Sequence, residues 1–409
     1  MKIASVWARE ILDSRGNPTV EVEVATEAVL ASAAAPSGAS TGKHEAVELR
    51  DGGARYNGKG VKKAVDNVNA VIAPAIIGMD VNDQEGIDQK MLELDGTRDK
   101  SNLGANATVA TSMAVLRAGA ASRNLLLHEH LGGDVLPHAM FNVINGGKHA
   151  GSGLAIQEFM IVPQHEFFSE RLKMACEIYH ILGKQLEESL GPSARNVGDE
   201  GGFAPQIDNT YKALDALVNA VEEAGYAHAC PFALDAAASS FYNQKSATYK
   251  IDGKALKEPE LVDYYADLAK TYPIKSIEDP FFEESFSAFA ALRKELPEVQ
   301  IVGDDLVVTN VSRLKQAIDN QSISALLLKV NQIGTITEAM EAVRLCRQNG
   351  LNIVVSHRSG ETEDCFIADF AVGINAGQIK TGAPARGERT AKYNQLLRLE
   401  ERIEALKQP

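Results

Sequence analysis

In the second half of the chain, six short apolar runs each stop at a titratable residue: Phe232-Ala-Leu-Asp235, Ile274-Lys-Ser-Ile-Glu278, Ile301-Val-Gly-Asp304, Leu326-Leu-Leu-Lys329, Ile353-Val-Val-Ser-His357 and Ile379-Lys380. The last five of these end residues are roughly 23–28 positions apart, about the length of one strand plus one helix, which is the repeat of a (β/α) barrel. Between the runs, residues 167–190, 208–225, 258–271, 286–296, 310–319, 335–348 and 388–406 carry the apolar spacing of amphipathic helices. Phe141-Asn-Val-Ile144 and Phe159-Met-Ile-Val162 read as the first strands of the same unit. The order is mostly βα, which favours a barrel over an antiparallel sandwich.

The first part of the chain has a different rhythm. Thr19 to Thr26 alternates apolar and polar residues with period two, the pattern of a half-buried antiparallel strand, and the turn residues Asp13-Ser-Arg-Gly-Asn-Pro18 precede it. Val29 to Ala35 reads as a second strand of that meander, followed by helices over 59–78, 83–95 and 105–122. Strands first and helices afterwards predict an α+β cap domain over residues 1–125, with an α/β barrel of TIM type over residues 126–409.

Barrel enzymes place their chemistry at the C-terminal ends of the strands. The end residues of these runs therefore converge on one mouth. Asp235, Glu278 and Asp304 would repel one another strongly with nothing between them, and three hard oxygen donors suit Mg²⁺. Asp305 is placed to support that ligand set. Lys329 follows four apolar residues; burial and a nearby cation would lower its pKa and prepare a neutral amine to take a proton. Lys380 adds a second positive charge. Arg358 and Ser359, just past the His357 strand, can clamp a phosphate or carboxylate. The plain alternative for Arg358 is an ion pair with Glu361 or Glu363. Glu158 and Glu200 are the candidates for an acid that expels a leaving group. His149 and His357 are read as hydrogen-bonding groups rather than metal ligands. Pro36 to Gly42 is either a surface loop or a lid, with Gly38 and Gly42 as hinges and Ser40 and Thr41 offering oxygens.

Composition narrows the partners. The chain has 409 residues, is 45% hydrophobic and carries a formal charge of −14. Such a surface repels nucleic acid and anionic membrane, so neither is expected as a partner. Arg9 and Glu10 interrupt any N-terminal signal core, and no run approaches the ~18 apolar residues of a membrane span. The four cysteines are widely spaced, without zinc spacing, as reduced thiols in a cytoplasmic protein would be.

Several longer segments carry a resemblance: Ile11-Leu-Asp-Ser-Arg-Gly-Asn-Pro-Thr-Val20, Pro36-Ser-Gly-Ala-Ser-Thr-Gly42, Ser101-Asn-Leu-Gly-Ala-Asn-Ala107, Gly198-Asp-Glu-Gly-Gly-Phe-Ala-Pro205, Ser276-Ile-Glu-Asp279, Val355-Ser-His-Arg-Ser-Gly-Glu-Thr-Glu-Asp364 and Ala391-Lys-Tyr-Asn-Gln-Leu-Leu397. In this order, over nearly the whole chain, they resemble the enolase family. The resemblance implies dehydration of 2-phosphoglycerate to phosphoenolpyruvate, reversible in gluconeogenesis, with two Mg²⁺ per site. It implies that Asp235, Glu278 and Asp304 bind the conformational Mg²⁺, and that Ser40 joins a second, catalytic Mg²⁺. Lys329 would remove the C2 proton, Glu200 with Glu158 would assist departure of the C3 hydroxyl, and Lys380 would stabilise the enolate. Arg358 and Ser359 would hold the phosphate, while His149, Gln157 and His357 would line the site. A lysine base beside one or two Mg²⁺ is the general description of enolase-superfamily sites and no deduction from this chain. The family also implies a homodimer, or an octamer in some microbes. Ser240 stands where the family usually has Glu, Gly387 where it has Ser, and Lys148 occupies a variable position.

Two rival readings fit less well. A sibling acid-sugar dehydratase, racemase or cycloisomerase commonly uses a K-x-K base pair, which Lys329-Val-Asn331 breaks. A non-catalytic protein on this scaffold would be expected to have lost Lys329, Glu200 or one of the three acidic ligands, and all are present.

Overall fold

The computed structural model describes residues 1–38, 42–147 and 150–407. Ser40 and His149, both singled out above, lie outside the described residues.

The chain opens with an antiparallel meander of β1 (Ser5–Leu12), β2 (Pro18–Ala25) and β3 (Leu30–Ala34), in the order β1-β2-β3. Val20, Val22 and Val24 are fully buried while the intervening glutamates are not, as the period-two pattern requires. The strand β1 was not anticipated; Arg9, Glu10 and the exposed Trp7 and Leu12 mask its alternation. Next comes a helical rod of α1 (Lys62–Asn67), a π turn (Val68–Ile72) and α2 (Ala73–Ile76). Pro74, near the start of α2, has no N–H to give the preceding turn, which fits the widened turn there. Then follow α3 (Gln84–Asp95), the almost wholly buried α4 (Ala105–Ser122) and the short α5 (Leu127–Leu131). The α4 helix packs on β2 and β3.

From there the chain builds a closed eight-stranded barrel. It begins with β4 (His138–Asn145) and β5 (Glu158–Ile161), followed by α6 (Phe168–Leu190), α7 (Thr210–Glu223) and β6 (Phe232–Asp235). A small sheet, β7 (Tyr242–Asn243), β8 (Thr248–Ile251) and β9 (Lys254–Leu256), precedes α8 (Glu258–Thr271). The repeat then runs β10 (Ile274–Glu278), α9 (Phe286–Glu295), β11 (Gln300–Gly303), α10 (Val311–Asp319), β12 (Ala325–Leu328), α11 (Val330–Ile333), α12 (Ile336–Gln348), β13 (Asn352–Ser356), α13 (Phe366–Gly373), β14 (Gly377–Lys380) and α14 (Gly387–Lys407). Around the barrel the order is β10-β11-β12-β13-β14-β4-β5-β6.

One strand departs from a uniform βα repeat. β5 runs antiparallel to both neighbours, β4 and β6. Among the described residues no crossover helix separates β4 from β5, and without a crossover a strand returns antiparallel. The reversal has a chemical consequence. The first residue of β5, Glu158, pairs with the last of β4, Asn145, and the last of β6, Asp235. Glu158 therefore reaches the same mouth as residues at the C-terminal ends of the parallel strands. Met140, Met160, Ala233, Val302, Ala325, Leu327 and Val354 fill the barrel interior beneath that mouth, so the mouth is floored rather than open to a pore.

Candidate active site

Each expected strand-end residue sits where the barrel repeat places it. Asp235, Glu278 and Lys380 are the last residues of β6, β10 and β14, Lys329 directly follows β12, and Asp304 directly follows β11. Asp235, Asp304, Lys329 and Lys380 line one cavity with Gln157, Glu158, Glu200, His357, Arg358, Ser359, Asp279, Asp305 and Gly38; Glu278 lies behind Lys380, which it holds. A roomier opening of about 640 Å³ at the other end of the barrel is lined by residues such as Met140, Val162, Pro231, Gln300 and Gln378, without a cluster of acids.

The two lysines divide the acids between them. The Lys380 ammonium donates to Asp235 Oδ2 at 2.9 Å and Glu278 Oε2 at 2.8 Å, and lies 3.1 Å from Glu158 Oε1. Lys329 Nζ donates to Asp304 Oδ2 at 2.5 Å, while Gln332 Nε2 donates to Asp304 Oδ1 at 2.8 Å. Burial pulls both lysines toward the neutral amine, but the carboxylates outweigh it. Lys329 is raised chiefly by Asp304, and Lys380 well above the ordinary lysine range by Asp235, Glu158 and Glu278. The expected fall in the Lys329 pKa is thus not seen where Asp304 pairs with the ammonium.

Burial and mutual repulsion work the other way on the acids. Glu158, Glu278 and Asp279 are pushed well above the carboxylate range, burial being the larger cause, and Asp305 is pushed up to about 8 by burial and by Asp304. Asp304 moves down despite its burial, because Lys329 is so close. Glu278 Oε1 and Glu158 Oε2 are buried without a hydrogen-bond partner among the described residues. Crowded, desolvated carboxylates with spare oxygens are the donor set of a hard divalent cation, so these residues fit Mg²⁺. Among the described residues, ligand atoms converge within 4.8 Å in two groups, Asp279–Asp304–Asp305 and Glu158–Glu200–His357. Asp235 and Glu278 instead meet on Lys380. Asp279 was missed as a contributor, although it adjoins Glu278 in the sequence. Its carboxylate accepts from the backbone N–H of Asp304 at 2.9 Å and of Asp305 at 2.7 Å, which orients both acids.

Glu200 arrives on the loop before α7. Gly201 takes φ +85°, and a Cβ at Gly202 would lie 2.8 Å from Asn145 Oδ1, so the glycine pair lets this loop turn against the barrel rim. Asn142 Nδ2 donates to Glu200 Oε2 at 2.9 Å, and His357 Nε2 stands 3.6 Å from Glu200 Oε1. Gln157 donates to Asp235 Oδ2 at 3.3 Å.

The fork of Arg358 is engaged by Glu45, not by Glu361 or Glu363: Nη1 donates to Glu45 Oε2 at 2.9 Å and Nη2 to Glu45 Oε1 at 3.1 Å. Glu361 instead accepts from the Arg358 backbone N–H at 3.1 Å. Arg15 Nη1 donates to Ser359 Oγ at 3.2 Å. Glu45 and Arg15 lie more than 300 positions from these partners, a separation at which spacing along the chain carries no signal. The atypical Ser240 and Gly387 are exposed, and a Cβ at Gly387 would meet nothing within 4 Å.

Two family models match the chain: "Enolase, N-terminal domain" over residues 3–131 and "Enolase, C-terminal TIM barrel domain" over residues 133–408. Curated relatives bear the name enolase. One from Methanosarcina barkeri is 58% identical over 98% of this chain and 94% of its own length. One from Thermococcus kodakarensis is 56% identical over 99% and 96%, and one from Methanocaldococcus jannaschii is 56% identical over 98% and 96%. With both domains matched and this identity held along nearly the full length, the chain belongs to the enolase family.

Proposed function

We propose that the chain catalyses the reversible dehydration of 2-phospho-D-glycerate to phosphoenolpyruvate, the hydro-lyase step EC 4.2.1.11 of glycolysis and gluconeogenesis. The observation that carries the residue roles is an opposition across the barrel. β12, which Lys329 directly follows, and β5, which begins with Glu158, are four places apart in the ring of eight strands. A base on one wall and an acid on the facing wall suit removal of a proton and a hydroxyl from neighbouring carbons.

In this reading the phosphate is held by Arg358 and Ser359, which places C2 before Lys329. The neutral Lys329 amine takes the C2 proton, and the C–H electron pair moves into the C1 carboxylate. Lys380 faces that charge. The pair then returns to form the C2=C3 bond, and the C3–O bond breaks. The hydroxyl leaves as water with a proton from Glu200, assisted by Glu158. Mg²⁺ held by Asp235, Glu278 and Asp304, with a second ion at Ser40, would supply the positive charge that stabilises the developing dianion. Asp304 favours the protonated form of Lys329; a cation shared by this carboxylate would shift Lys329 back toward the neutral amine that a base requires. His149, Gln157 and His357 complete the substrate contacts.

The domain division is drawn at 125/126. The protein is taken as a cytoplasmic homodimer or octamer; the exposed Trp7 and Leu12 on β1 suit a covered face, and among the described residues no helix is long and apolar enough to cross a membrane. The test is phosphoenolpyruvate formation from 2-phosphoglycerate with Mg²⁺ and with chelator. Metal-dependent turnover, lost in Lys329→Ala, is expected. No turnover by the folded wild type with Mg²⁺ would overturn the reading.

A further inference from the structure

Arg389, in the first turn of α14, is fully buried and outside the set of substrate contacts. Its guanidinium has a defined set of partners. Nη1 donates to His357 Nδ1 at 2.6 Å and to the Arg358 carbonyl at 2.8 Å. Nη2 donates to the Ser359 carbonyl at 2.7 Å and the Asp199 carbonyl at 3.0 Å. One side chain thus ties the loop bearing the anion-binding pair to the loop bearing Glu200.

A guanidinium has donors and no acceptor. His357 Nδ1 must therefore be the bare nitrogen, and the proton of the neutral ring must sit on Nε2. That Nε2 is buried, has no hydrogen-bond partner among the described residues, and stands 3.6 Å from Glu200 Oε1. We propose that Arg389 is a positioning residue for the dehydration: it fixes His357 as the Nε2–H tautomer, so that the imidazole presents a donor to Glu200 and the reaction space.

The choice of tautomer changes the chemistry of the acid. In the opposite tautomer the Nε2 lone pair would accept a hydrogen bond from protonated Glu200 and hold back the proton owed to the leaving hydroxyl. With Nε2–H facing it, Glu200 gains a hydrogen bond as it becomes a carboxylate, the state reached after the proton has gone. The stabilisation falls on the later state and so favours elimination. A third group that sets the tautomer of a catalytic imidazole is an established device in acyl transfer; here the group is a cation, and it selects the nitrogen by refusing to accept. Burial, aided by Arg389, Lys380 and Lys329, keeps the ring neutral by lowering its pKa well below the histidine range, against the opposing pull of Glu200.

The inference rests on the acid role of Glu200 given above, and its test separates the two. Long-range ¹H–¹⁵N correlation on the histidine-labelled wild type, with His357 assigned through His357→Gln, should show the proton on Nε2 and a bare Nδ1. Arg389→Met should lose dehydration on the order of 10²-fold, with exchange of the C2 proton retained. Because Arg389→Met removes four hydrogen bonds and can fail to fold, His357→Gln and His357→Asn form a second pair. The Gln amide nitrogen lies near the Nε2 position and the Asn amide nitrogen near Nδ1, so Gln should retain roughly tenfold or more activity than Asn. A proton on Nδ1 of wild-type His357, equal activity of the Gln and Asn variants, or parallel loss of exchange and dehydration in a folded Arg389→Met would each overturn the proposal. A wild type inactive on 2-phosphoglycerate, yet with Nε2–H at His357, would instead sink the reaction and leave the tautomer assignment standing.

Discussion

Lys329 Nζ and Asp304 Oδ2 lie 2.5 Å apart at the C-terminal ends of neighbouring strands, so the proposed base and a proposed metal ligand hold each other charged. The pair makes proton abstraction and cation binding interdependent: whatever takes over the Asp304 carboxylate also releases the amine. Lys329→Ala should therefore abolish both C2 exchange and turnover, whereas Glu200→Gln should block dehydration and leave exchange measurable. Losses on the order of 10²–10⁴-fold are expected for each removed proton-transfer group. Deuterium exchange at C2, followed beside phosphoenolpyruvate formation, separates the two; equal loss of exchange in both variants would remove the division of labour.

The same pair bears on metal demand. Asp304→Asn keeps the shape of the side chain and removes a negative charge from the mouth. The Mg²⁺ concentration for half-maximal activity should rise by at least about tenfold. A titration with unchanged midpoint would take Asp304 out of the ligand set.

Glu45 occupies the fork of Arg358, the proposed phosphate clamp. Its carboxylate, 5% exposed, holds both guanidinium nitrogens and also accepts from the Gly42 backbone N–H at 2.9 Å. Glu45→Gln leaves a hydrogen-bonding side chain and removes the charge an anionic substrate must displace. KM for 2-phosphoglycerate should fall severalfold, with the larger change at low ionic strength. A raised KM would show that Glu45 prepares Arg358 for the phosphate rather than occupying it.

What the sequence revealed, and what it hid, follows from range. Strand ends in the barrel were legible because each apolar run stops at a charge and the runs recur at one period. Glu158 was legible as an acid but not as a mouth residue on the strand side, since its position depends on β5 running against its neighbours. The α13 helix escaped notice because it is short and all eight of its residues, Asp369 included, are buried; a helix buried on every face has no amphipathic period. Helix α11 and the sheet β7–β9 are too short for periodicity. Glu45, Arg15 and Arg389 act through partners brought close only by folding, and Arg389, read within the Arg386–Arg389 stretch, looks like one more charge at the start of a helix.

The Arg117–Asp364 pair gives a prediction about stability rather than chemistry. Asp364 Oδ1 accepts from Arg117 Nη2 at 2.6 Å and Oδ2 from Nη1 at 2.9 Å; the same carboxylate also accepts from the backbone N–H of Ala34 at 2.9 Å and of Phe366 at 2.8 Å. It thereby joins α4 and β3 of the first domain to the barrel. Burial pushes its pKa up, but Arg117 and the backbone donors win, and the folded value lies below that of a free aspartate. A carboxyl whose pKa is depressed by folding stabilises the fold fully above the unfolded value, near 4, and loses that contribution as pH falls through the lower, folded value. Asp364→Asn should thus cost about 3 kcal/mol at neutral pH, since it leaves the guanidinium without its counter-charge. The gap to wild type should hold down to about pH 4 and narrow below it. Urea unfolding of both proteins at pH 7 and pH 3 measures this directly. A gap that is the same at both pH values would mean that Asp364 acts through packing and neutral hydrogen bonds alone, and that its charge does not hold the two domains together.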